Sequence, residues 1–339
     1  MIIYNWLPRL FSAHKNIPIA IDLPIDQAEN PTPDAESHGL TWDKRNAIGA
    51  HFYKWSFESN DKFGSDIHPL EKRILEALGQ LVKSRQSGAE LVGRMPGVVP
   101  DLMRSLKKGN YSGAQLSQKI SQDVVLVQAL LRCANSAAYK SDQVITSITH
   151  AIAFIGHEGL RQLIAGVAFR PIVNSRSGRY TRLVAPRIWN QSELCANANQ
   201  ALAPDYNVDP FEAFLAGLIQ NIGLVVSLSI ADKISAGAET RSSSSFHDAL
   251  IRYARTLTCN ISREWCFPET VIQAIGEQGE NFAKQSLSPL GKALAEGDCL
   301  SKARLLVDGN QCKEEDVEIL KGLPANSLAC YQNLVGFEK

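Results

Sequence analysis

A chain of 339 residues, 45% of them hydrophobic, has enough apolar material for a sizeable core and, at about 100 to 200 residues per domain, points to two structural units. Its 35 Lys and Arg balance its 35 Asp and Glu, which excludes a global field drawing it to nucleic acid or an anionic membrane and leaves local patches as the place to look for partners. Seven cysteines without a C-x-x-C pair read as reduced thiols rather than a disulfide framework; with no signal-like leader and no uninterrupted apolar run of about 18 residues, the expected location is the cytoplasm.

Residues 1–67 read as an N-terminal extension and linker. Prolines at 8, 18, 24, 31 and 33 make the segment around Ile17 to Ile25 extended, and the polar stretch Asp26 to Gly39 reads as a linker. The aromatic rings of Trp42, His51, Phe52, Tyr53, Trp55 and Phe57 are expected to bury against the main domain. From His68-Pro69 the texture is helical: Leu70, Ile74, Leu75, Leu78, Leu81 and Val82 fall at helical spacing behind a proline suited to a first turn.

Short helices are expected at Val98 to Lys108, Ser112 to Ile120 and Asp123 to Ala138. Two more follow, Ile148 to Ile155 ended by Gly156 and His157 to Phe169. The spacing then predicts Ala185 to Ala203, Pro210 to Ala231, Phe246 to Thr256, Ile261 to Trp265, Glu269 to Gly276, Pro289 to Leu306 and Glu314 to Leu320. Ala236 to Ser245 reads as a flexible loop, with Ser245 and Asp248 resembling a capping box. The fold class is all-α.

Several segments carry a recognisable order. Met95-Pro96-Gly97-Val98-Val99 leads a helix, Ile120-Ser121-Gln122-Asp123 precedes LLRCANSAAY, ITSITHAIAFIGHEGLR follows, and FEAFLAGLIQNIG comes last, with Trp265-Cys266-Phe267-Pro268 and Ala274-Ile275 downstream. Over about residues 88 to 280 this ordered set resembles the HDOD domain, the non-catalytic relative of the HD phosphohydrolases found in bacterial signalling proteins. The resemblance implies a multi-helix HD-like bundle over 68–285, with a first helical subdomain at about 88–175 and a degenerate HD-type subdomain at about 185–280, followed by a helical extension at 286–339.

Catalytic HD enzymes need histidines and an adjacent His-Asp pair, because neutral imidazoles and a carboxylate together hold metal ions that activate water. In this sequence the matching positions carry amides or glycine. The histidine expected after Ile188-Trp189 is Asn190, the His-Asp pair is Gln220-Asn221, and the histidine pair expected after Ala274-Ile275 falls on Gln278-Gly279. Since disturbing only a partner of a metal ligand commonly costs about 10 to 100-fold in metal affinity, replacing the ligands themselves removes the basis for a catalytic metal. No G-x-S-x-G, Walker or G-x-G-x-x-G motif supplies another chemistry. Neither a catalytic group nor a metal or other cofactor is assigned. The amides either satisfy buried partners where a metal would sit or line a cleft for a small polar or nucleotide-like ligand.

Local charge adds one feature. Arg161, Arg170, Arg176, Arg179, Arg182 and Arg187 lie between Gly159 and Ser192 without one Asp, Glu or Lys among them. They read either as a solvated connection whose arginines pair with acids elsewhere or as a patch for an anionic partner, with nucleic acid the weaker form because aromatic residues are sparse there. The resemblance implies a bacterial regulator, a pseudoenzyme in signal transduction whose partners are signalling proteins. A metal-dependent phosphohydrolase and a nucleotide- or nucleic-acid-binding regulator are the competing readings. The sequence fixes neither a partner nor an oligomeric state.

Overall fold

Apolar residues at helical spacing, closed by caps and glycines, form an architecture of helices with no strand among the described residues. The computed structural model describes residues 40–58, 66–84, 113–121, 124–135, 144–173, 178–236, 243–265, 267–279 and 287–334. The helices in chain order are α1 (Trp42–Ser56), α2 (Pro69–Lys83), α3 (Gly113–Ile120), α4 (Val124–Ala134), α5 (Ile148–Val173), α6 (Arg179–Leu202), α7 (Pro210–Ile219), α8 (Ile222–Ser235), α9 (Ser244–Glu264), α10 (Glu269–Gly276), α11 (Pro289–Asp308) and α12 (Ala325–Asn333). The expected helix Val98 to Lys108, the Met95 to Val99 segment, Cys266 and everything before residue 40 lie outside the described residues.

Caps set the starts. Asp209 Oδ1 accepts from the Glu212 amide at 2.8 Å, Ser288 Oγ from Gly291 at 3.0 Å, and His68 Nδ1 from Leu70 at 3.4 Å while Glu71 Oε2 accepts from the His68 amide at 2.8 Å. Two starts are gripped from a distance. Buried Glu71 of α2 receives the Ser243 amide and hydroxyl at 2.7 and 2.9 Å at the head of α9, and Glu277 receives the same two groups of Ser288 at 3.0 and 2.7 Å at the head of α11. A carboxylate at each helix N-terminus satisfies free amides and meets the positive end of the helix dipole.

Several boundaries differ from the sequence expectation, each for a local reason. The N-terminal extension contains α1, a full helix whose Phe52 is completely buried, and the helical extension expected at 286–339 includes a further helix, Ala325–Asn333, that the spacing does not single out. The start of α6 lies at Arg179 rather than Ala185 because Asp232 of α8 caps it, accepting from Tyr180 and Thr181 amides at 2.7 and 3.0 Å; Pro186 is carried inside the helix. The cap of α9 is Ser243, not Ser245, and the two helices expected at 246–256 and 261–265 are one. Residues 314–320 form two 3₁₀ turns, Glu314–Asp316 and Glu318–Leu320, instead of an α-helix. At Gly156 the expected break is present as a kink with φ 75°, a conformation open to glycine, inside α5.

All the described residues belong to one compact unit. Within it α3 and α4 pack on α5, and Asn135 staples the end of α4 to the approach of α5 by exchanging side-chain hydrogen bonds with both backbone groups of Ile145 at 2.8 Å. The larger bundle is built on α6, which α7, α8 and α11 flank, with α9 against α8 and α1 against α11. By composition the stretch Pro210–Ser235 is apolar and long enough to cross a membrane, but 78% of its apolar window is buried inside the fold and it is broken at 220–221.

Two glycines let that stretch sit close to its neighbours. A Cβ on Gly217 would come within 2.6 Å of the Ala196 amide nitrogen in α6, and one on Gly223 would overlap the Ala254 carbonyl oxygen in α9. Both obstacles are backbone, so neither can swing aside. Gly223→Ala is expected to lower stability by about 3 kcal/mol or more through overpacking, whereas Gly49→Ala on α1, where a Cβ meets nothing within 4 Å, is expected to raise it by about 0.5 kcal/mol; denaturant midpoints check both.

Candidate functional site

Gln220 and Asn221 do not lie within a continuous helix, as the apolar run predicts; they form the break between α7 and α8, where Asn221 adopts φ −101° and ψ 6°. The break frees backbone groups that must find partners inside the protein. Thr258 of α9 supplies them, its hydroxyl accepting from the Gly223 amide at 3.0 Å and standing 3.0 Å from the Gln220 carbonyl oxygen.

From this break the side chains reach α6. Asn221 Nδ2 donates to Gln191 Oε1 at 2.6 Å and to Ser192 Oγ at 3.0 Å, and Gln220 Nε2 donates to Cys195 Sγ at 3.1 Å. The chain of bonds continues as Gln191 Nε2 donates to Asp298 Oδ1 at 2.9 Å and Lys302 Nζ donates to Asp298 Oδ2 at 2.6 Å. On Lys302, burial acts to lower the pKa, but Asp298 outweighs it and holds the ammonium above the usual lysine value.

Of these groups, Gln220, Asn221, Asp298 and Lys302 border a cavity of about 800 Å³. Gln220, Asn221 and Gln278 line it together. Gln278 accepts from Arg45 NH2 at 2.8 Å and donates to the Ala274 and Gly291 carbonyls at 2.7 and 3.0 Å. Asn190 is not part of the lining, and neither is any other residue of α6; the residue of α6 bonded to Asn221 is its neighbour Gln191. Sequence reasoning also missed Arg45, Arg255, Asp298 and Lys302. The Asp298–Lys302 pair carried a usable signal, opposite charges four apart on a helix; Arg45 carried none, because α1 lies far away in sequence.

The residues present do not fit a catalytic metal centre. Among the described residues no three His, Cys, Asp or Glu side chains converge, Asp298 already serves Lys302 and Gln191, and the break offers neutral amides. His247, which lines the cavity and stacks on Phe57 with ring centroids 4.3 Å apart, is pushed down to a pKa of about 4 by burial. Burial also raises the thiols of Cys195 and Cys259, and those of Cys299 and Cys330 to about 12 and about 11, which leaves them protonated and unreactive.

The arginines of the 159–192 segment do not share one role. Arg187 closes the end of α1, donating to the Trp55 and Ser56 carbonyls at 2.9 and 3.1 Å, pairing with Glu58 at 3.1 Å and lying 4.7 Å over the Trp55 ring. That is a cation at a helix C-terminus and a structural contact. Arg161 lies 3.7 Å over the Phe211 ring, and Arg182 Nε donates to the Gly178 carbonyl at 3.1 Å. Arg179 is exposed. Arg176 and the side chain of Arg170 lie outside the described residues.

Comparison with known proteins agrees with this architecture. The family model of the HDOD domain matches residues 92–280. A protein of uncharacterised function from Treponema pallidum is 23% identical over 192 residues, which make up 54% of this chain and 35% of that protein, so the chain spans about a third of the curated relative it matches. Among solved structures, a chain from Shewanella amazonensis provisionally named a metal-dependent phosphohydrolase has a TM-score of 0.55 at 19% identity, with 79% of this chain and 98% of that chain covered. An HDOD domain protein of unknown function from Geobacter sulfurreducens has a TM-score of 0.53 at 16% identity, with 77% and 92% covered.

His247 gives the site a pH signature. Because its folded pKa is depressed from 6.5 to about 4, the unfolded chain takes up a proton that the folded one refuses between those values. Stability is therefore unaffected by this group above about pH 6.5 and falls as the pH drops towards 4, by an amount on the order of 3 kcal/mol. His247→Gln is expected to flatten that part of a plot of unfolding free energy against pH.

Proposed function

The chain belongs to the HDOD domain family, and on that premise we propose that it is a non-catalytic regulatory module that works by binding signalling proteins. The observation that carries this reading is the Gln220-Asn221 break. The scaffold that would present a His-Asp pair is held in place by Thr258, Gly217 and Gly223, while the side chains at its tip are amides engaged with Gln191, Ser192 and Cys195. Amides tied to neighbours serve a fixed framework better than they serve a Lewis acid. A cytoplasmic location in a bacterial pathway fits the same reading, and so does the use of Arg187 within the fold instead of on a free basic surface.

The competing reading, a metal-dependent phosphohydrolase, takes its support from the name given to the relative from Shewanella amazonensis. Its chemistry would need ligands that the residues around 220–221 do not provide. The two readings separate in one set of measurements on the purified chain. We expect elemental analysis to find no stoichiometric Zn, Mn, Fe or Mg and phosphomonoesters and phosphodiesters to remain unhydrolysed when these metals are added. Affinity capture from the native cell, read by mass spectrometry, is expected to retain a signalling protein. Metal-dependent turnover that is lost in an Asp298→Asn variant would overturn the proposal.

A further inference from the structure

The cavity at the helix break is charged in a way that the family match does not explain. Five cationic side chains line it, Arg45, Lys54, Arg252, Arg255 and Lys302, against the two carboxylates Asp248 and Asp298. Arg45, Lys54 and Lys302 lie outside residues 92–280, on helices that flank the matched domain. His247 adds no charge at neutral pH. The excess is therefore positive, in a chain whose charges otherwise sum to zero.

Arg255 is the telling residue. It lines the cavity from α9, and burial depresses its pKa below the ordinary arginine value, yet its side chain forms no hydrogen bond or salt bridge among the described residues. Arg255 is half-buried, so its guanidinium presents five donors at the cavity wall with no protein acceptor to meet them. Lys302 shows the contrast on the same wall, its charge met by Asp298 at 2.6 Å. Across from Arg255, the side-chain oxygens of Gln220 and Asn221 accept from nothing among the described residues, their amide nitrogens being the atoms that bond to α6. The wall thus combines unmet donors that are cationic with unmet acceptors that are neutral. Its volume of about 800 Å³ lies in the range of about 300 to 1,000 Å³ usual for small-ligand sites.

We propose that this cavity binds a phosphate-bearing ligand of nucleotide size, with Arg255 and Arg45 meeting the phosphate and the side-chain oxygens of Gln220 and Asn221 accepting from N–H groups of the base. A guanidinium forks onto two phosphate oxygens, and an amide oxygen reads an exocyclic amine, so the two kinds of group on the wall address the two ends of one molecule. Since α1 supplies Trp42 and Arg45 to the same cavity, a bound ligand joins α1 to the 220–221 break. Ligand binding here does not depend on the module acting through protein partners; either property can fail while the other holds.

Isothermal titration of the full chain tests the proposal, using ATP, GTP, cyclic AMP, cyclic di-GMP and inorganic phosphate as probes. At least one nucleotide is expected to bind more tightly than inorganic phosphate, and Arg255→Gln is expected to weaken that nucleotide by about 10 to 100-fold, the usual worth of a charge-assisted hydrogen bond. The same substitution is expected to leave the melting temperature of the ligand-free protein unchanged, since the half-buried guanidinium makes no protein hydrogen bond that could be lost; a merely structural arginine would lower it. Arg45→Gln, a change on a helix at the rim, carries the same binding test if the first variant misfolds. No binding across the panel, equal affinity in wild type and variants, or inorganic phosphate matching every nucleotide would each overturn the proposal.

Discussion

The close approach of α7 and α8 to their neighbours is the constraint on which the rest of the bundle depends. Glycine at 217 lets α7 ride on the backbone of α6, and glycine at 223 lets the first turn of α8 touch the backbone of α9. With both approaches fixed, the residues between them cannot remain in one straight helix, and the chain breaks at 220–221. A break inside a core exposes amide and carbonyl groups to no water, and the cost is met by the hydroxyl of Thr258, which serves Gly223 and Gln220 together. The position of two polar side chains at the floor of a cavity follows from packing, before any chemistry is assigned to them.

Much of this was legible in the sequence, and what was not has physical reasons. Helical periodicity found most of the helices, and the order of motif segments found the family, because both are local patterns. The break at 220–221 was invisible to periodicity, since apolar residues run through it on both sides; only the contacts of Gly217 and Gly223 with α6 and α9 reveal it. The start of α6 was misplaced for a similar reason: its cap is Asp232, about fifty residues downstream. A residue far along the chain also explains Ser243, whose role at the head of α9 is visible only once Glu71 is beside it.

The candidate site was legible in part. Gln220, Asn221 and Gln278 do come together on one cavity, because a motif transfers the positions that line a shared fold. Asn190 was chosen by counting from Trp189, and it is Gln191 that bonds to Asn221; on a helix one residue is a turn of about 100°, enough to change which neighbour a side chain meets. The cationic members were less legible. Arg45, Lys54 and Lys302 come from α1 and α11, outside the matched segment, and Arg252 and Arg255 come from α9 within it, where nothing local in the sequence marks them as neighbours of the dipeptide.

This division has a consequence for how the site is built. Residues inside the family match supply the frame of the cavity, the break and its amides, whereas the flanking helices supply Arg45, Lys54 and Lys302. The clamp of Arg187 on the end of α1 matters for that reason. By binding the Trp55 and Ser56 carbonyls and Glu58, it anchors the helix that carries Arg45 to the helix that carries Gln191. An arginine that reads in sequence as one of six in a basic patch thus acts inside the fold, fixing the end of the helix that brings Trp42 and Arg45 to the cavity.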